Sequence, residues 1–297
     1  MMTGKYREAA VGTFTQSDGY RSHYRLWGRP GGNDVVVLLH GGISHSGWQA
    51  PLADAIVSTS QISFIALDRR GSGLNTENRG HLLSKEREIE DVVSFLRSLR
   101  DSYARIHLAG WCFGGQVASI VASQVAGEGL LSSLILVAPG FIFNERYSDV
   151  LRLSTQAVFE VIEEFGVKPE PTRPFIPVPL QPTDFTTRAE WLEFIEKDDL
   201  RLTKVTERTL TVWHELADWS KSALSKLGGR PVLAVFGSRD RLVDNDRVKQ
   251  MLKERVKGMV PTIETLDAGH AIQFEEPGKL AGLVTRFVSS VPGRSAV

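Results

Sequence analysis

Six apolar runs rich in β-branched residues punctuate the chain, and each ends in glycines or a charged loop. Four fall in the first 140 residues: "DVVVLLHGG", "QISFIALDRRGSG", "ARIHLAGW" and "LSSLILVAPG". Two more, "RPVLAVFGSRD" and "VPTIETLDAGH", come near the end. Such a run suits a strand buried on both faces of a sheet. Helical patterns separate them. Ile89, Val92, Val93, Leu96 and Leu99 fall on one helical face, "GGQVASIVASQVA" carries small residues for close packing, and "PGKLAGLVTRFVSS" closes the chain with a stripe of Leu280, Leu283, Val284, Phe287 and Val288. Strands that alternate with helices imply a mostly parallel sheet covered on both faces. Ahead of it, "REAAVGTF" and "YRSHYRLWG" flank the turn signal "TQSDG" and predict an antiparallel hairpin.

The alternation stops at Gly140 and resumes near Arg230, with no buried strand expected between. "DVLRLSTQAVFEVIEEFG" reads as a helix stopped by Gly166. "VKPEPTRPFIPVPLQPTD" holds six of the 13 prolines and excludes regular helix. "TTRAEWLEFIEK" restarts a helix with Thr187 and Glu190 at capping-box spacing, and "TKVTERTLTVWHELADWSKSALSKL" is a second amphipathic helix. The organisation expected is an α/β core from 1–140 and 230–297, with a helical cap inserted at 141–229.

Composition narrows the partners. The 297 residues carry 35 Lys plus Arg against 35 Asp plus Glu, so no net field gathers nucleic acid or an anionic membrane. The single cysteine, Cys112, can form no internal disulfide. The start, "MMTGKYREAAVGTF", lacks the apolar core of a signal peptide, and no uncharged stretch is long enough for a membrane span. The expectation is a soluble, cytoplasmic protein with no membrane or nucleic-acid partner. Neither a phosphate-binding glycine loop nor a metal-ligand cluster is legible, so no cofactor and no metal are expected.

In parallel α/β sheets the binding crevice lies at the carboxyl ends of the strands. The unusual residues gather there: "HGG" at 40–42, Asp68 with "RRGSG", "GWCFGG", "GSRDRLVD" and "GH" at 269–270. Gly110-Trp111-Cys112-Phe113-Gly114 has the form G-x-C-x-G, a sharp strand-to-helix turn that holds a nucleophile in strained backbone between glycines. The turn sets sulfur at a helix N-terminus, whose dipole favours thiolate. The competing reading is a buried structural thiol.

With "LLHGG", "DRRGSG", "GWCFGG", "FGSRDRLVD" and "GHAIQFEEP" in this order, nearly the whole chain resembles the α/β-hydrolases that carry a helical cap. It departs from most of them in having cysteine at the serine position. Dienelactone hydrolases and polyhydroxyalkanoate synthases share the G-x-C-x-G-G form. The resemblance implies a nucleophile–acid–histidine order. Cys112 is then the nucleophile, His270 the base, and Asp240 the acid that orients the imidazole, with Asp244 a rival and Glu145 a distant third. It also implies an oxyanion site made by the backbone N–H groups of Gly42 and Phe113. Gly41, His45, Trp48, Trp111 and Trp213 are the expected substrate-pocket residues. His40 and the Asp68 loop are read as support for the crevice wall.

The reaction expected from a sulfur nucleophile is acyl transfer through a thioester on Cys112. The small-molecule acyl donor would be carried on an acyl carrier protein or coenzyme A. The alternative is hydrolysis of an activated ester or lactone. A third reading, of another class, is a non-catalytic binding protein on the same fold. A serine exchanged for cysteine to trap an acyl-enzyme would leave the same sequence pattern. Oligomeric state is not legible.

Overall fold

The computed structural model describes residues 5–149 and 175–293. Eight strands form one sheet in the order β1-β2-β4-β3-β5-β6-β9-β10. β1 (Ala10–Thr15), β2 (Arg21–Trp27) and β4 (Ser63–Leu67) pair antiparallel in that sequence. The remaining neighbours, β3 (Gly32–Leu39), β5 (Tyr103–Trp111), β6 (Ser133–Val137), β9 (Val232–Gly237) and β10 (Thr262–Leu266), join by parallel pairing, with β4 parallel to β3. The apolar runs lie at the centre: β4, β6 and β9 are buried along their whole length.

Helices cover both faces. α1 (Ala50–Thr59) packs on α10 (Pro277–Ser290), while α2 (Lys85–Ser98) packs on α3 (Phe113–Gln124). α2 begins where Ser84 Oγ accepts the N–H of Arg87 at 3.1 Å. Glu86 and Glu88 in its first turn and Arg97 in its last suit the helix dipole. α8 (Asn245–Arg255) connects β9 to β10, and the short α9 (Ile272–Glu275) precedes α10.

The described residues between β6 and β9, 138–149 and 175–231, lie outside the main sheet. A helix, α4, is described over 145–149; of the predicted helix ending at Gly166, all but its first residue, Asp149, lies outside the described residues. No buried strand is expected here, and the structure adds a short, partly exposed pair of strands. β7 (Phe175–Pro177) and β8 (Lys204–Thr206) form a separate antiparallel pair, three residues each. The proline-rich stretch also ends in one helical turn, α5 (Pro182–Phe185), where Pro182 occupies the first position and its missing N–H costs nothing. α6 (Ala189–Glu196) follows, but the capping box is absent. Arg188 is the N-cap without a side-chain bond, its N–H donates to Thr186 Oγ1 at 3.2 Å, and Glu190 reaches Lys5 instead. The second amphipathic pattern starts as β8 and becomes α7 (Glu207–Ala223), which lies across α3 and α2.

Candidate active site

β5 ends at Trp111 and α3 starts at Phe113, so Cys112 alone makes the turn between them. It sits at φ 54° and ψ −121°, a conformation that costs an L-residue on the order of 1–3 kcal/mol. Three backbone bonds hold it there. Its N–H donates to the Val137 carbonyl, and its carbonyl accepts the N–H groups of Gly115 and Gly140, each at 3.0 Å. The flanking glycines are needed for space. A Cβ on Gly114 would lie 2.0 Å from the Leu39 carbonyl oxygen, and one on Gly110 would lie 2.2 Å from that of Gly114.

Two loops bring the other titratable groups. Asp240 follows β9. Its Oδ1 accepts the N–H groups of Leu242 and Val243 at 2.8 and 3.1 Å, and its Oδ2 lies 2.8 Å from His270 Nδ1. His270 follows β10 and is fully buried. The indole N–H of Trp111 donates to its carbonyl at 3.1 Å, and the next residue, Ala271, donates its N–H to the Phe185 carbonyl at 2.9 Å. Burial lowers the imidazole pKa, but the charges of Asp240 and Cys112 and the hydrogen bond to Asp240 outweigh it and raise it to about 10, while Nε2 has no hydrogen-bond partner among the described residues. The Asp240 carboxylate on Nδ1 favours the protonated ring. Asp244 is elsewhere: it caps α8, accepting the Arg247 N–H at 3.1 Å. Glu145 is exposed at the start of α4.

The "HGG" loop lies against the same turn. A Cβ on Gly41 would stand 3.3 Å from Cys112 Cβ. Among the described residues no protein group accepts the N–H of Gly42 or of Phe113. The Gly41 carbonyl, in contrast, is held by His40 Nδ1 at 2.7 Å and Arg69 Nη2 at 2.9 Å.

Cys112, Phe113, Gly41 and Gly42 line a cavity of about 120 Å³ with mostly apolar walls. Trp111 and Trp213 line it too, with Phe143, Leu180, Leu210 and Leu242. Two expected pocket residues do not line it. His45 Nε2 lies 2.9 Å from Asp198 Oδ2, and Trp48 donates its indole N–H to the same oxygen at 2.6 Å. Burial raises the Asp198 carboxyl pKa, but His45, Trp48 and the Leu200 N–H outweigh it and hold it below the ordinary value. These two residues therefore tie the core to the inserted segment. Asp198 carries no sequence signal for that contact. Sequence reasoning also missed Phe185, whose ring stands 5.9 Å from that of His270, and Tyr147, which lines the cavity from α4.

Among the described residues no group of three His, Cys, Asp or Glu side chains suits a metal, and no helix is long and apolar enough to cross a membrane.

A mostly parallel sheet with a strained residue at a strand-to-helix turn, beside a buried histidine–aspartate pair, defines an α/β-hydrolase fold. The chain belongs to the serine aminopeptidase family S33, whose family model matches residues 32–277. It is similar to human monoacylglycerol lipase ABHD6, with 23% identity over 292 residues that cover 94% of this chain and 82% of that protein. Among solved structures it is similar to a soluble variant of monoglyceride lipase from Saccharomyces cerevisiae in complex with a substrate analog. The TM-score is 0.75 at 16% identity, over 97% of each chain. It is also similar to monoacylglycerol lipase from Paleococcus ferrophilus, with a TM-score of 0.69 at 20% identity, over 95% of this chain and 99% of that one.

These relatives correct the reaction expected from the sequence. They are named as lipases, and the family is one of serine-type hydrolases, so the chain is an enzyme of the hydrolase class and the acyl-transfer reading falls. The sulfur at the elbow had suggested transfer because thioesters suit other acceptors. That argument concerns the second step and leaves water as an acceptor equally open.

Proposed function

We propose that the protein hydrolyses carboxylic esters of an apolar acyl group, with Cys112 as nucleophile. The observation that carries this reading is the set made by Cys112 at its strained turn, the His270–Asp240 contact of 2.8 Å and the adjoining apolar cavity. The monoacylglycerol lipases among its relatives support a monoacylglycerol, an ester of one acyl group with glycerol, as substrate. The cavity wall supports it too, since an acyl chain gains free energy by leaving water there.

In this mechanism the Cys112 thiol passes its proton to His270 as the sulfur attacks the ester carbonyl, and the carbonyl oxygen takes the negative charge against the N–H groups of Gly42 and Phe113. The imidazolium of His270 gives its proton to the departing alcohol, and a thioester remains on Cys112. Water then attacks the thioester, losing a proton to His270. The carbonyl re-forms, the C–S bond breaks, the acid leaves, and His270 returns the proton to the sulfur. Asp240 keeps the imidazole oriented and stabilises its charge throughout. The described part of the inserted segment, with Tyr147, Leu180, Leu210 and Trp213 on the cavity, is proposed to set the size of the acyl group. The test is hydrolysis of a series of monoacylglycerols and p-nitrophenyl esters by native protein and Cys112→Ala. A Cys112→Ala enzyme with native rates would refute the assignment.

A further inference from the structure

Arg69 and Glu88 form an ion pair buried inside the core, with side chains 3% and 1% exposed. The pair is joined by a single contact, Arg69 Nη1 to Glu88 Oε1 at 2.9 Å. The other terminal nitrogen, Nη2, turns away to the "HGG" loop, where it donates to the carbonyls of Gly41 at 2.9 Å and Gly42 at 3.3 Å. The guanidinium carbon also stands 4.9 Å from the centre of the Phe113 ring. One cation thus touches both residues whose N–H groups would bind the oxyanion.

His40 completes the arrangement, and its tautomer follows from its partners. The Arg69 backbone N–H can only donate, and it reaches His40 Nε2 at 3.1 Å. The ring proton is therefore on Nδ1, which donates to the Gly41 carbonyl at 2.7 Å. Burial and the nearby Arg69 charge keep the imidazole pKa well below its ordinary value, in line with that neutral tautomer. The Gly41 carbonyl accordingly takes two short donors, His40 and Arg69, with the Ser44 hydroxyl a longer third at 3.4 Å. A trans peptide is planar, with its N–H opposite its C=O. Fixing this carbonyl toward Arg69 and His40 fixes the Gly42 N–H in the opposite direction. A charged donor on the oxygen also polarises the amide and makes its N–H a stronger donor.

We propose that Arg69, anchored by Glu88, is a positioning residue that sets and polarises the Gly41–Gly42 peptide so that Gly42 N–H stabilises the oxyanion. The proposal rests on the assignment of Cys112 as nucleophile and Gly42 as donor. It makes a specific claim about which chemistry depends on Arg69. Attack on an ester carbonyl develops an oxyanion; displacement of iodide from iodoacetamide by the same sulfur does not.

The test compares these two reactions at Cys112 in native protein and in Arg69→Met/Glu88→Met, where no buried charge is left unpaired. A second variant, Glu88→Gln, keeps Arg69 and a neutral acceptor for Nη1. The double variant is expected to lose about 30-fold or more in kcat for p-nitrophenyl butyrate, a loss of the size seen when an oxyanion donor is disturbed. KM and the rate of Cys112 alkylation should stay within about threefold of native, since neither draws on oxyanion stabilisation. Glu88→Gln should retain at least about a third of the native kcat, because the peptide keeps its Arg69 donor. A native kcat in the double variant overturns the proposal. So does an equal fall in hydrolysis and alkylation, or a Glu88→Gln enzyme as impaired as the double variant. If Cys112→Ala hydrolyses the ester at the native rate, the underlying nucleophile assignment fails, and this proposal with it.

Discussion

His270 Nδ1 stands 2.8 Å from Asp240 Oδ2, and neither side chain is exposed to solvent. The pair joins the loops after β9 and β10, and the other Asp240 oxygen accepts two backbone N–H groups. Replacing Asp240 by Asn keeps the shape but removes the charge that holds the imidazolium. We expect Asp240→Asn to lower kcat by about 10²-fold, less than in serine enzymes because a thiol needs less help with its proton. Asp244→Asn should keep native kcat, since that residue caps α8. Asn is itself a good cap, so the change in stability should stay within about 0.5 kcal/mol. Parallel kcat measurements on the two variants check this; a larger loss in Asp244→Asn would contradict it.

The raised imidazole pKa makes stability depend on pH. A group whose folded pKa exceeds its ordinary value stabilises the fold fully below that ordinary value, here 6.5, and the contribution fades as pH rises through the folded value of about 10. The upper bound is ~5 kcal/mol, at ~1.4 kcal/mol per pKa unit. Urea unfolding of native protein should therefore show stability falling between pH 7 and pH 10 more steeply than in His270→Gln. Identical slopes would mean that the charged neighbours do not hold the proton on His270.

Trp213 lies on α7 with its ring 5.5 Å from that of Phe113, and a Cβ on Gly42 would stand 3.6 Å from its edge. It fills space beside the proposed oxyanion site. Trp213→Ala should shift preference toward longer or bulkier acyl groups by at least about fivefold in relative kcat/KM. Unchanged relative rates across a chain-length series would show that the ring packs without selecting substrate.

The turn depends on bare backbone at position 114. Gly114→Ala would press a methyl into the Leu39 carbonyl, a backbone group that cannot swing aside. We expect a loss of about 3 kcal/mol or more, read from denaturant unfolding, together with loss of activity. A stable, active Gly114→Ala protein would contradict the close packing of α3 on β3.

The features legible in the sequence are those written in consecutive residues. Buried strands announce themselves as runs such as "VVVLL" closed by glycine, and the elbow at Cys112 as glycines at fixed spacing. What was not legible depends on residues far apart in the chain. His45 and Trp48 look like pocket residues until Asp198, 153 residues beyond His45, is seen to bind them both. Thr187 and Glu190 have the spacing of a cap, yet Lys5 draws the carboxylate away. Arg69 sits in a charged loop that reads as crevice wall, and only the fold brings Glu88 and the Gly41 carbonyl to it. Strands as short as β7 and β8 have too few residues to show a period at all.

The central claim is that Cys112 carries the acyl group during ester hydrolysis, and rapid acid quenching followed by intact-protein mass measurement tests it most directly. Native protein mixed with p-nitrophenyl butyrate should gain the mass of one butyryl group, mapped to the peptide bearing Cys112. Cys112→Ala should gain none and release no p-nitrophenol above background. Hydrolysis by Cys112→Ala at the native rate, or an acyl group mapped to another residue, would contradict the account.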